Sequence, residues 1–209
     1  MTALRMIRTI LLAAALAFVA APAGADDANP AAAAFMQSLG SKAIKEITDP
    51  ALPQAERQAR FRTLLDEHFD MAAIAKFTLG RYWRTATEEQ RTEFRQLFED
   101  FIVQSYSTRF AEYHGERFVV AGSTTDERGA TVVHSKIDMP SSEDIRVDWR
   151  LRAADGGFAI VDIVVEGVSM AVTQRSEFAS VIQGRGGIAG LLDALRAKNA
   201  QSADSSAGQ

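Results

Sequence analysis

The apolar positions of this chain keep two rhythms. Up to about residue 113 they recur every three or four places. Between about 118 and 166 they recur every second place, and after 170 the longer period returns. Asn29-Pro30 supplies a cap and a first-turn proline. Phe35, Met36, Leu39, Ala43, Ile44 and Ile47 then share one helix face, which Asp49-Pro50 stops. A second helix is predicted from Pro53 through Phe61, Leu64 and Leu65 to His68. Asp70 caps a short third one carrying Met71, Ile74 and Phe77, ended by Gly80. After the stretch GRYWR, Thr87 with Gln90 three places on forms a capping box. The longest helix follows, with Phe94, Leu97, Phe98, Phe101, Ile102, Tyr106, Phe110 and Tyr113 on one side and charged residues on the other. Gly115 ends that run.

Strands are predicted next. Phe118 to Ala121 is short. Thr131 to Met139 alternates Val133, Ile137 and Met139 against His134, Lys136 and Asp138. In IRVDWRLR, Ile145, Val147, Trp149 and Leu151 face one way and Arg146, Asp148, Arg150 and Arg152 the other. Asp155-Gly156-Gly157 is a hairpin turn. Phe158 to Glu166 is the last strand; its IVDIVVE segment is apolar in both phases apart from Asp162, which predicts a strand covered on both faces. Helices over about Gln174 to Ile182 and Ile188 to Lys198 close the domain, split by Gly184, Gly186 and Gly187. Residues 201–209 are expected to be disordered. The order helices, strands, helices predicts a single α+β domain with a curved antiparallel sheet of about four strands wrapped by helices.

Composition changes this picture at the N-terminus. Arg5 and Arg8 precede an apolar run, Ile10 to Ala21, too short to span a bilayer comfortably, and Ala23-Gly24-Ala25 offers small residues at the spacing of a signal-peptidase site. Residues 1–25 are therefore expected to be a signal peptide cleaved near Ala25, and the domain to begin at residue 26. The chain has no cysteine, so disulfides and lipoprotein anchoring are excluded. The net charge is −4, and it becomes more negative once Arg5 and Arg8 are removed. That balance argues against general nucleic-acid binding. The expected compartment is the periplasm.

Candidate chemistry is sparse. His68, His114 and His134 are too far apart in sequence for metal-ligand spacing, and no metal or cofactor is expected. GVSMA, residues 167–171, resembles a nucleophile elbow with Ser169 as nucleophile, but no histidine follows residue 134 to complete a triad in that order. GRGG, residues 184–187, lacks the lysine and hydroxyl of a phosphate loop and reads as a helix–helix turn. Asp162 and Glu166 share one strand face and offer paired carboxylates; solvated or arginine-paired groups are the commoner outcome. What remains is aromatic and apolar.

Two segments carry a resemblance. FTLGRYWRTATEEQRTEFRQLFEDFIVQSYSTRF and DIVVEGVSMAVTQRSEFASVIQGRGGIAGLLDAL resemble the signature regions of MlaC-type, toluene-tolerance proteins, over about residues 35 to 198. The resemblance implies an NTF2-like or cystatin-like sheet wrapped by helices and a lipid-binding domain over 26–200. It implies a periplasmic carrier, not an enzyme, that shuttles phospholipid between an inner-membrane ABC transporter complex and an outer-membrane lipoprotein complex, maintaining outer-membrane lipid asymmetry. The phospholipid is cargo. A hopanoid-associated branch of the family, a serine hydrolase using Ser169 and a ligand-free interaction module stand as alternatives. Two acyl chains left in water cost on the order of 20 kcal/mol, so a carrier must enclose them. From facing and size, the lipid-binding wall is expected at Phe69, Ile74, Phe77, Tyr82, Trp83, Phe94, Phe98, Val147, Trp149, Val165, Met170 and Phe178. Arg81 and Arg84 are expected in solvent or paired with Asp162 or Glu166, a lipid phosphate being the other partner that suits a guanidinium.

Overall fold

Asn29 opens the first helix as its sequence demands: its side chain accepts the amide of Ala32, and Pro30 takes the first helical position. The computed structural model describes residues 29–207 apart from Arg128 and Ser141. The expected signal peptide lies outside the described residues. In order come α1 (Pro30–Ile47), α2 (Gln54–His68), α3 (Met71–Leu79), a 3-10 turn (Gly80–Arg84), α4 (Glu88–Ala111), β1 (Arg117–Thr125), β2 (Thr131–Asp138), β3 (Ile145–Ala154), β4 (Gly157–Val165), β5 (Val168–Ser169), α5 (Met170–Gly184) and α6 (Ile188–Ala207). Helix α6 thus continues through Ala207, across residues 201–207 that the sequence reading gave to a disordered tail. Among the described residues no helix is long and apolar enough to cross a membrane.

The expected caps form. Asp70 accepts the amide of Ala73, and Thr87 and Gln90 make the reciprocal pair of a capping box. Arg57, almost wholly buried on α2, closes the other end of α1. Its guanidinium donates to the carbonyls of Ile47, Asp49 and Leu52, satisfying the turn that Asp49-Pro50 begins.

The strands form one antiparallel sheet in the order β1-β2-β3-β4-β5. The fifth strand is the two-residue return after a tight turn at Glu166-Gly167. Both turn residues have positive φ, 49° and 80°, as a type I′ hairpin requires. Glu166 therefore sits in a turn and shares no strand face with Asp162. Two register shifts bend the sheet, one between Val120 and Gly122 on β1 and one opposite Arg150/Leu151 on β4. The second corrects the expectation for β4. With Val161 as the extra residue, Ile160 faces Leu151 and Ile163 faces Trp149, so both face the core although three places apart. The doubly apolar pattern of IVDIVVE is in part a change of phase rather than burial on both sides.

Two apolar cores result. One lies between the sheet and its covering helices: Met36, Leu39, Ile47, Leu64, Val133, Leu151 and Ile160 fill it, with Phe35, Phe61, Phe69, Phe110, Phe118, Trp149 and Phe158 half-buried around it. The other lies among α3, α4, α5 and α6: Leu79, Phe94, Phe98, Phe178, Ile182, Leu191 and Leu195 fill it, with Met71, Ile74, Tyr82, Trp83 and Phe101 half-buried on its margin. Helix α4 belongs to both, through Phe94 and Phe98 near its start and Phe110 near its end.

Candidate functional site between two apolar cores

The expected wall residues divide between these cores. Phe94, Phe98 and Phe178 are fully buried and pack on one another, with ring centres 5.6, 5.5 and 5.4 Å apart, one pair stacked and two edge-to-face. They make a filled cluster of rings. Ile74, Tyr82 and Trp83 lie on its margin. Phe69 and Trp149 belong to the other core. The Phe69 backbone bridges to Ile160 on β4. Trp149 meets Phe118 edge-to-face at 6.0 Å and donates its indole N–H to Ser135 Oγ at 2.9 Å. Val147 is buried and pairs across strands with half-buried Val165; Met170, also half-buried, begins α5. Phe77 is different: 41 % of it is exposed, with the Arg175 guanidinium carbon 5.3 Å above its ring centre.

The GRYWR stretch becomes a 3-10 turn that presents its rings to the helical core. Arg91 Nε donates to the Trp83 carbonyl at 2.9 Å while its guanidinium lies 5.5 Å over the Trp83 ring. Arg81 donates to the Tyr82 hydroxyl at 2.8 Å, which holds that hydroxyl below the usual phenol range; Gln183 adds to the effect. Neither Arg81 nor Arg84 reaches the carboxylates expected for them. Asp162 is taken by Ser169 and by the Ala171 amide, with Arg150 at 3.9 Å, and Glu166 accepts the amide of Arg146.

Ser169 is a helix cap. Its hydroxyl donates to Asp162 Oδ2 at 2.6 Å and accepts the amide of Val172 at 3.1 Å, so both of its bonding roles serve the start of α5. Gly186 and Gly187, at φ 78° and 86°, turn the chain between α5 and α6. A chain of contacts that the strand alternation did not reveal runs across β1, β2 and β3. Thr124 Oγ1 lies 2.8 Å from His134 Nε2, and His134 Nδ1 lies 2.8 Å from Asp148 Oδ1. The connectivity is that of a nucleophile, base and orienting acid. Its three members stand on neighbouring strands and line neither of the hollows described below, and they act as a cross-strand polar ladder. Among the described residues no group of three or more His, Asp or Glu is arranged to hold a metal.

Among the hollows on the surface of the described residues are two of moderate size. One, of about 240 Å³, is lined by Leu79, Gly80, Arg81, Tyr82, Arg175, Ala179 and Gln183. The other, of about 450 Å³, lies at the β3–β4 hairpin over Arg152 to Asp155. Of the expected wall, only Tyr82 lines either. Several half-buried rings escaped the sequence reading of the wall: Phe35, Phe61, Phe110, Phe118 and Phe158. The first three lay on apolar stripes already recognised, but a stripe does not tell a filled core from its margin.

The fold and its site define a helix-wrapped α+β domain in which one long helix contributes to two apolar cores. The chain belongs to the MlaC protein family, whose profile matches residues 37–197; the resemblance read from the motifs is borne out. Toluene tolerance protein ttg2D of Pseudomonas putida is 26 % identical over 106 residues, 51 % of this chain and 49 % of that protein, so the match spans about half the length of this curated relative. A solved structure, described as a phospholipid-binding protein from Ralstonia solanacearum in complex with a phospholipid, shares the fold. It superposes with a TM-score of 0.72 at 24 % identity, covering 82 % of this chain and 98 % of that one.

Proposed function

We propose that this chain is a phospholipid carrier of the periplasm, taking up acyl chains between its two apolar cores and passing them between membrane complexes. The observation that carries the reading is that the two cores stay separate although α4 contributes to both, each bordered by half-buried aromatic rings. Rings of that size gain free energy from further burial, and an acyl chain laid along the seam supplies it. Membership of the MlaC family supports the reading, as does the phospholipid held by the Ralstonia protein of the same fold.

The hollows set a condition. At about 240 and 450 Å³ they fall below or near the lower end of the roughly 300–1,000 Å³ typical of small-molecule pockets, and a two-tailed lipid needs the upper end or more. Neither of these hollows holds such a lipid as it stands, and in this reading uptake parts the two cores, with the tails replacing contacts that the parting breaks. The lipid shifts the open state only by its preference for that state, so direction comes from the partner complexes, an ABC transporter complex at the inner membrane and a lipoprotein complex at the outer. Ser169, held in a cap, gives the hydrolase alternative no free nucleophile.

Mass spectrometry of the organic extract of the purified protein tests this. The expected result is near-stoichiometric phospholipid. An extract empty of phospholipid and hopanoid overturns the carrier reading in favour of a ligand-free module, and an extract holding only hopanoid reassigns the cargo.

A further inference from the structure

The hollow beside the 3-10 turn is built from cations that no carboxylate of the described residues neutralises. The Arg175 side chain makes no hydrogen bond or ion pair among the described residues; its guanidinium lies on the Phe77 ring and against Gly80. Arg81 spends one nitrogen on the Tyr82 hydroxyl and has no ionic partner among the described residues. Both line the same hollow, together with Tyr82 and Gln183. Arg175, Ala179 and Gln183 fall at four-residue steps on α5, so one helix face supplies one wall, and the 3-10 turn supplies the other.

Beside these cations the surface is apolar. Phe77 is 41 % exposed and Val172, one turn before Arg175 on the same face of α5, is 50 % exposed. A guanidinium pair alone suits any small anion. A guanidinium pair bordered by bare apolar side chains suits an anion carried on hydrocarbon. We propose that this hollow is a phosphodiester site, in which Arg175 and Arg81 hold the phosphate of a lipid headgroup while Phe77 and Val172 border its glyceride end. The site rests on the carrier reading and adds where the headgroup is held and which charge is selected. A phosphodiester carries a single negative charge and two free oxygens, which the fork of a guanidinium meets with paired N–H donors. The unused donors of Arg175 and of Arg81 are free for that role.

The test measures binding of three probes to the purified protein, below micelle-forming concentrations: dihexanoyl phosphatidylglycerol, the dihexanoylglycerol lacking its phosphate, and inorganic phosphate. The wild type is expected to prefer the phospholipid over the uncharged glyceride by about tenfold or more, the range of charge-assisted hydrogen bonds. That ratio is expected to collapse towards one in R81Q/R175Q and to shrink as potassium chloride is raised. A ratio unchanged in R81Q/R175Q, with the glyceride still bound, overturns the site and leaves the carrier reading intact. Arginine-dependent binding of inorganic phosphate without preference for phospholipid over glyceride overturns the headgroup assignment in favour of a free anion. A wild type that binds neither lipid overturns the carrier reading, and the site with it.

Discussion

A Cβ built on Gly80 would lie 2.8 Å from Nε of Arg175, and Gly80 itself stands at φ 60°, ψ −131°, a conformation nearly closed to other residues. Two constraints thus meet at one glycine, where α3 ends and the 3-10 turn begins. Their costs differ. The Arg175 side chain can swing away, whereas the backbone angle is fixed by the amide of Gly80, which bonds back to the carbonyls of Lys76 and Phe77. G80A is therefore expected to lower stability by about 1–3 kcal/mol. G80A/R175A should recover little of it. Thermal unfolding of the two variants checks this; full recovery in the double variant would place the cost in the contact with Arg175 instead.

Local signals were the ones the sequence made readable. Asn29, Asp70 and the Thr87–Gln90 pair satisfy donors within three residues of themselves, so type and spacing suffice to find them. IRVDWRLR was equally clear, because strict alternation along β3 needs no knowledge of its neighbours. The early start of α5 was hidden: Ser169 caps it with help from Asp162 on β4, a partner only the fold supplies. The phase change at Val161 was hidden for the same reason. The site was legible as a set of large apolar residues but not as two cores, since Phe98 in a filled cluster and Trp149 on the margin of the sheet core are the same kind of letter in the sequence. Phe77, expected as wall, is an exposed ring under Arg175 because Ala75, Thr78 and Leu79 set the buried face of α3 and Phe77 falls on the side away from Ala75 and Leu79.

The Ser169–Asp162 pair supplies a second prediction. S169A removes the α5 cap and is expected to cost about 1 kcal/mol. D162A removes the acceptor for both the Ser169 hydroxyl and the Ala171 amide on a nearly buried carboxylate, and is expected to cost about 2–4 kcal/mol. Because the two share one hydrogen bond, the double variant should lose less than the sum. Denaturant unfolding of the three variants measures this. Phospholipid content of S169A should match the wild type, and a loss of ester hydrolysis in S169A would revive the hydrolase alternative.

Histidine 68 should make stability depend on pH. It closes α2 with its ring edge-on to Phe35, and burial is the main cause holding its pKa below the ordinary 6.5; Lys42 adds to the effect and Glu67, with an oxygen 3.5 Å from Nε2, opposes it. The folded state therefore binds this proton less readily than the unfolded chain. Stability from this residue is full above about pH 6.5 and is lost as the pH falls below it towards the lowered folded value. Glu67, held low by Lys42, acts in a separate and more acid window, below 4.5. Nε2 is buried without a hydrogen-bond partner, so H68L removes an unsatisfied atom. It is expected to leave stability at neutral pH unchanged or higher and to flatten the slope just below pH 6.5. Urea unfolding at stepped pH checks it, and an unaltered slope would move the proton elsewhere.

Cutting down one ring in each core separates a core role from a wall role. Phe98 is wedged between Phe94 and Phe178 with no space beside it, so F98A leaves a cavity and is expected to cost about 3–5 kcal/mol. Its lipid content per folded molecule should stay near wild type, because the ring touches other rings of its own cluster. Trp149 is half-buried, with its N–H on Ser135 and its edge on Phe118 at the margin of the sheet core. W149F keeps an apolar ring and loses only the indole hydrogen bond and some area, a cost of about 1–2 kcal/mol. If tails lie along the seam, W149F should lower extracted phospholipid by more than F98A does, although it harms the fold less. The two readouts therefore rank the variants in opposite orders, which a residue acting only through stability cannot do. Parallel measurement of melting temperature and extracted lipid decides it: the same ranking in both would place the tails away from Trp149.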